Sequence, residues 1–225
     1  MNKDIESVKN FWNESYGYNT PVDIKKEDVE PTTIFDKDIA EFSKNASTIL
    51  DYGCGITFNL YIAHFANPNL KDALGIDPSK NAIDFCEESA RKSGFENVHY
   101  EVGDIETLKK VRDDSRDFVI CSNVLDCVFE KTRNEVVREL YRVTKNSGFF
   151  LLKVNFYLDK ETALFYHLTA INEHDYAQKG LFRISFYEDE YWINLFSSLG
   201  FKLVRKDLYQ RQEGIPEDRI FIFKK

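Results

Sequence analysis

The stretch Ile49-Leu50-Asp51-Tyr52-Gly53-Cys54-Gly55-Ile56-Thr57 decides how this chain is read. Its apolar start predicts a strand over Thr48 to Tyr52, an acid lies near the strand's end, and a Gly-x-Gly turn leads into a helix that begins near Phe58. Such a turn exposes bare backbone, so that a ligand can approach the chain closely. A dinucleotide site needs G-x-G-x-x-G with a small third residue for close helix and strand packing, and Phe58 stands there instead. No Lys follows the turn in the order G-x-x-x-x-G-K-[ST], which excludes a P-loop.

Working outward, short β-rich runs alternate with helical patterns from residue 47 onward, which predicts βαβ units and a parallel sheet. The strand candidates are Thr48 to Tyr52, Ala73 to Asp77, Val98 to Val102, Phe118 to Ser122, Phe149 to Asn155, Lys202 to Tyr209 and Arg219 to Phe223. Ser79 caps a helix whose Ala82, Ile83, Cys86 and Ala90 share one face, and Gly94 ends it in the left-handed conformation. Thr132-Arg133-Asn134-Glu135 matches a capping box, followed at helical spacing by Val136, Val137, Leu140, Tyr141 and Val143 until Asn146-Ser147-Gly148. Residues 156–187 interrupt the alternation; Ala163, Leu164, His167, Leu168 and Ile171 predict a helical lid there. Residues 1–46, broken by Pro21 and Pro31, predict a helical N-terminal cap. With no repeat or flexible linker, 1–225 reads as one domain: cap 1–46, ligand-binding core 47–155, lid insert 156–187, and helix and strands 188–225.

Composition narrows the function. The chain has 225 residues, 43% of them apolar, which excludes disorder. Its net charge of -8 disfavours nucleic acid and anionic membrane as partners. The acidic N-terminus and the absence of a long apolar run predict a cytoplasmic protein that does not enter a membrane. Cys54, Cys86, Cys121 and Cys127 form no C-x-x-C pair and have no His at ligand spacing, so they read as buried or loop thiols, with no metal site.

With these residues in view, the sequence resembles the class I S-adenosylmethionine-dependent methyltransferases, whose main motif is D-x-G-C-G at the end of the first strand. Asp77 closes the second strand 22 residues after Gly55, where that superfamily places the acid that binds the ribose hydroxyls. Asp104 ends the third strand, where members read the adenine edge with an acid and the following amide, here that of Ile105. Asn123, in Ser122-Asn123-Val124-Leu125-Asp126, matches the S-N-x-L-E-H stretch of small-molecule members, and Arg142-Val143-Thr144-Lys145-Asn146-Ser147-Gly148 matches their turn before strand five. Thr57 departs from the pattern by replacing a third glycine. The resemblance implies a Rossmann-like, doubly wound, seven-stranded and mostly parallel α/β sheet with an antiparallel last strand and helical lid segments. It implies S-adenosyl-L-methionine as cofactor, held by Asp51, Gly53, Cys54, Gly55, Asp77, Asp104, Ile105 and Asn123. Three carboxylates suit a ligand that carries a sulfonium and an ammonium but no phosphate.

The sequence lacks the [DN]-P-P-[YF] and Pro-Cys signatures of base methyltransferases, so a small-molecule methyl acceptor is the expected partner. Transfer from a sulfonium needs alignment and exclusion of water more than a general base, and no catalytic residue is assigned. If a base is used, the lids offer His167, His174, Asp175, Tyr176, Tyr16 and Tyr18. Phe11, Trp12, Phe165, Tyr166 and Phe182 offer an aromatic pocket. Two alternatives stay open: a nicotinamide-dependent Rossmann oxidoreductase, and a non-catalytic binder of S-adenosylmethionine.

Overall fold

A helix α1 (Lys3–Ser15), a single 3-10 turn (Lys26–Val29) and a helix α2 (Ile34–Ser43) precede the first strand in the computed structural model, which describes residues 3–17 and 19–225. Thr33 and Asp36 form a reciprocal capping box at the start of α2. Then follow β1 (Thr48–Tyr52), α3 (Asn59–Ala66), β2 (Asp72–Asp77), α4 (Lys80–Ser93), β3 (Val98–Val102), α5 (Ile105–Leu108), β4 (Arg116–Ser122), α6 (Glu130–Val143) and β5 (Thr144–Val154). The expected caps of α4 are present: Ser79 Oγ accepts from the Ala82 amide at 3.1 Å, and Gly94 takes φ 74°.

The insert holds α7 (Lys160–Phe165), β6 (Thr169–Ala170), β7 (Asp175–Gln178) and β8 (Leu181–Ser185), and the chain closes with α8 (Asp189–Ser197), β9 (Lys202–Tyr209) and β10 (Asp218–Lys224). The main sheet has the order β3-β2-β1-β4-β5-β10-β9, with β10 antiparallel to both neighbours and β1 to β5 all parallel. This is the seven-stranded, doubly wound arrangement that the sequence implied. Central strands buried on both faces carry the near-continuous apolar runs such a sheet requires. Ile39, Leu60, Tyr61 and Ile83 cover one face, while Leu108, Val137, Leu140, Trp192 and Phe196 cover the other.

Two expectations are corrected. Helix α6 does not start at the Thr132 capping box; it starts at Glu130, with Phe129 at its N-cap and no side-chain cap. Tertiary contacts set this start, because the Phe129 ring stacks on Phe182 at 4.1 Å and Arg133 reaches back to the Leu125 and Val128 carbonyls. Its end also comes early: α6 gives way to β5 at Thr144, and Ser147, at φ 67°, lies within the strand and donates its amide to the Lys225 carbonyl.

The second correction concerns the insert, which is mainly a three-stranded antiparallel sheet and not a helical lid. Helix α7 lasts six residues, and His167, at φ 58°, turns the chain so that Leu168 and Ile171 leave the helical face. Lys179 and Gly180, at φ 52° and 81°, then form a two-residue hairpin loop of the kind whose twist matches paired strands. The insert has its own small core of Leu158, Ala163, Leu168, Tyr176 and Phe186. Among the described residues, no helix is long and apolar enough to cross a membrane.

Candidate active site

The strand order reverses at β1, which has β2 on one side and β4 on the other. The loops leaving these strands therefore diverge and open a crevice at their carboxyl ends, the usual ligand position in open α/β sheets. Of the eight residues singled out from the sequence, Asp51, Gly53, Cys54, Gly55, Asp77 and Asn123 lie at the ends of these three strands, and Asp104 and Ile105 follow the neighbouring β3.

The glycine turn is built from backbone ties. The amides of Gly53 and Cys54 both donate to the Ile76 carbonyl, at 2.7 and 3.2 Å, and that of Gly55 donates to Asp77 Oδ2 at 2.9 Å. Gly53 and Gly55 have φ 74° and 50°, a region that disfavours any side chain. A Cβ on Gly53 would stand 2.2 Å from the Val124 side chain, so the loops after β1 and β4 touch directly. Cys54 turns its thiol into the core and contributes only backbone to the turn.

Three carboxylates differ in their surroundings. Asp51 is buried behind the turn, where Oδ2 accepts from Asn59 Nδ2 at 3.0 Å and Thr57 Oγ1 at 3.4 Å, while Oδ1 has no partner among the described residues. Burial pushes its carboxyl up to about 7, the Asp77 charge adds to this, and the hydrogen bonds from Asn59 and Thr57 oppose it. Asp77 is raised by burial as well, against the Ser79 and Gly55 amides that hold it. Burial alone would also raise Asp104, but Lys9 Nζ at 2.6 Å and the Glu106 amide at 3.0 Å outweigh it and leave the carboxyl below its usual range. Ile105, as the first residue of α5, has an amide with no partner inside that helix.

Asn123 follows β4 at φ 56°. Its Oδ1 accepts from Lys153 Nζ at 2.6 Å and from Ser122 Oγ at 3.1 Å, while Nδ2 is buried with no partner among the described residues. Lys153, on β5, holds Asn123 from within the sheet, and the sequence did not reveal it, because an isolated Lys in a strand reads as an outward-facing charge. It is buried between Asn123, Asp218 at 3.4 Å and the rings of Phe35 and Tyr209.

Helix α1 crosses the same strand ends. Lys9 pairs with Asp104, Asn13 accepts from the Asn81 amide at 3.0 Å and from Ser79 Oγ at 3.1 Å, and the Tyr16 hydroxyl lies 2.9 Å from where a Cβ on Gly55 would stand. Burial and then the Asp77 charge push the Tyr16 phenol up to about 12, so it remains protonated at neutral pH. Of the other lid candidates, His167 is exposed, Tyr176 sits in the insert's core, Asp175 accepts from Ser185 Oγ at 2.6 Å, and His174 stacks on Tyr187 at 4.3 Å. These contacts lie in the insert or at its junction with α8, and Tyr18 lies outside the described residues. Of the aromatic candidates, Phe11, Trp12 and Phe182 share one cavity between α1 and β8, whereas Phe165 and Tyr166 are exposed. A larger cavity of about 910 Å³ opens at the insert, lined by Tyr157, Tyr176, Tyr187 and Tyr191 among others, and none of the eight strand-end residues lines it.

The comparisons with known proteins agree with this fold. The family described as "Methyltransferase domain" matches residues 43–184. The uncharacterized methyltransferase YcgJ of Bacillus subtilis is 32% identical over 116 residues, covering 52% of this chain and 43% of that protein. An uncharacterized RNA methyltransferase of Halalkalibacterium halodurans is 32% identical over 115 residues, covering 46% of this chain and 24% of that protein. The match thus spans less than half the length of either curated relative. The crystal structure of Burkholderia thailandensis 1,6-didemethyltoxoflavin-N1-methyltransferase, solved with 1,6-didemethyltoxoflavin and S-adenosylhomocysteine, superposes with a TM-score of 0.73 at 12% identity, over 99% of this chain and 89% of that one. The fold and a family match over more than half of the chain agree: the chain belongs to the methyltransferase-domain family, within the class I S-adenosylmethionine-dependent superfamily.

Proposed function

We infer that the chain transfers a methyl group from S-adenosylmethionine to a small-molecule acceptor enclosed beneath α1 and the insert. The observation that carries this reading is the covering of the strand ends on either side of the switch point. Helix α1 touches the residues that follow β1, β2 and β3, and the insert covers the turn after β4, where Phe182 stacks on Phe129. A covered crevice in a protein of net charge -8 suits a metabolite better than a polyanion.

The residues fit the cofactor. Its electrophilic methyl, carried on a sulfonium, is the chemistry it supplies. Asp77 has lone pairs left for the ribose hydroxyls while it clamps Gly55, and Asp104 with the Ile105 amide would receive the adenine edge. Gly53 and Gly55 present backbone to the methionyl end, Cys54 shapes the turn, and Asp51, whose raised carboxyl a bound cation would draw toward its ionised form, offers a counter-charge to the cationic groups. Asn123 fixes the loop after β4 through Lys153. Tyr16, protonated and lying over Gly55, excludes water and offers a hydroxyl donor; it is not a base.

Calorimetry of the full chain with S-adenosylhomocysteine, followed by transfer of a labelled methyl group into a low-molecular-mass extract and separately into total RNA, tests the reading. Binding of the nucleoside with label in the metabolites is the expected result. Label confined to RNA would overturn the choice of acceptor, and binding without transfer to either pool would leave only a binder.

A further inference from the structure

Arg183, on β8, stands apart from the other arginines. It is half-buried, with its guanidinium carbon 4.7 Å from the centre of the Trp12 ring and 5.3 Å from that of Phe11. Arg116, Arg133, Arg142, Arg205 and Arg219 are also partly or fully buried, and each is engaged by carbonyls or carboxylates. Arg183 makes no hydrogen bond or ion pair among the described residues. A guanidinium has five donors in a fixed fork, and here two aromatic faces flank it while its nitrogens stay accessible to a ligand.

The space beside it is suited to an anion. A cavity of about 110 Å³ lies between α1 and the β7–β8 hairpin, lined by Arg183 with Lys179, Phe11, Trp12 and Phe182 among others. No carboxylate contributes to that lining, although acids outnumber bases in the chain by 38 to 30. The cavity adjoins the crevice through side chains already described, since the Trp12 ring stacks on Tyr16 at 6.0 Å and the Tyr16 hydroxyl lies over Gly55. The charge of Arg183 is felt on the crevice side as well, where it works against the rise that burial imposes on both the Tyr16 phenol and the Cys127 thiol.

We propose that Arg183 is the specificity residue of the acceptor site and that it anchors a carboxylate, or a comparable oxyanion, on a small acceptor whose body lies against Trp12 and Phe11. This rests on the methyltransferase reading above. A planar fork next to an aromatic wall recognises a carboxylate in two-point fashion and excludes neutral and cationic analogues, which would leave the guanidinium unpaired. The methionine carboxylate of the cofactor is the other possible source of the same chemistry.

The test uses the full chain, its Arg183→Gln and Arg183→Lys variants, and a filtered metabolite extract divided on an anion-exchange resin before the reaction. Methyl-accepting activity should lie in the resin-retained fraction. Arg183→Gln should lower transfer to that fraction at least about tenfold while S-adenosylhomocysteine affinity stays within about twofold, and Arg183→Lys should restore part of the loss. Transfer to the unretained fraction, or equal transfer by Arg183→Gln, would overturn the proposal. So would a variant that binds S-adenosylhomocysteine weakly but 5′-methylthioadenosine normally, because the latter lacks the carboxylate and the cofactor would then be the partner of Arg183. Label found only in RNA retained by the filter would also exclude a small acid. A wild-type chain that fails to bind S-adenosylhomocysteine would remove the methyltransferase reading, and this proposal with it.

Discussion

Asp77 clamps the Gly55 amide and, in the function proposed above, also accepts from the ribose hydroxyls, so its loss should loosen the turn and remove a charge-assisted contact together. Charged hydrogen bonds are worth roughly 1.5 to 3 kcal/mol each, and Asp77→Ala should therefore weaken S-adenosylhomocysteine binding at least about tenfold by calorimetry. Unchanged affinity in a folded variant would remove Asp77 from the site. Asp51 leads to a prediction about pH. Its folded carboxyl, at about 7, lies above the unfolded value near 4, so the folded state binds the extra proton between them. This contribution to stability is complete below about pH 4 and is lost as pH rises through about 7, with a total on the order of a few kcal/mol. Asp51→Asn removes that slope, so the variant should gain on the wild type between pH 5 and pH 8 in urea denaturation. Parallel curves for the two proteins would show that Asp51 is already ionised in the folded state at low pH.

Helix α6 is tied to the insert through the buried side chain of Arg133. Arg133 donates to the Leu125 carbonyl at 2.7 Å, Ser185 Oγ at 2.7 Å and the Tyr191 hydroxyl at 2.9 Å, and Ser185 passes its own proton bond on to Asp175. Truncation would strand several buried acceptors at once, and Arg133→Ala should cost about 2 to 4 kcal/mol, read by urea denaturation. Hydrogen exchange should quicken in β7 and β8 first; a uniform change would argue against a local tie. The same region shows where the sequence stopped being legible. The strands of the main sheet and the caps of α4 could be read because each rests on local chemistry, such as apolar runs, Ser79 or Gly94. The insert could not, since Ala163, Leu164, His167, Leu168 and Ile171 keep helical spacing across a turn at His167 that no local residue announces. Lys179-Gly180 was the available signal, but a hairpin loop is persuasive only when the strands beside it alternate clearly, and Leu181-Phe182-Arg183-Ile184-Ser185 does not. At the candidate site, the positions of the glycine turn and of the acids at strand ends were legible, while the surroundings of Lys153 and Arg183 were not, because their contacts come from elements distant in sequence.

At the scale of the molecule, α1 and the insert approach the crevice from different parts of the chain and meet each other where Arg183 lies over Trp12. A joint cover of this kind should tighten on ligand binding. Added S-adenosylhomocysteine should slow hydrogen exchange in both segments more than in β10, and removal of residues 1–20 should reduce turnover far more than it reduces the stability of the sheet. Equal exchange with and without ligand would remove the cover from the mechanism. The insert leaves the main sheet after β5 and returns before α8, and between these points it pairs its own strands and packs its own core. The crevice loops have no such independence, since Gly53 and Val124 already touch and neither loop can change size alone. On the function proposed above, descent with change would therefore be channelled: acceptor preference would shift by remodelling one hairpin unit within its ties to Arg133 and Trp12, while the loops after β1 and β4 stay as they are.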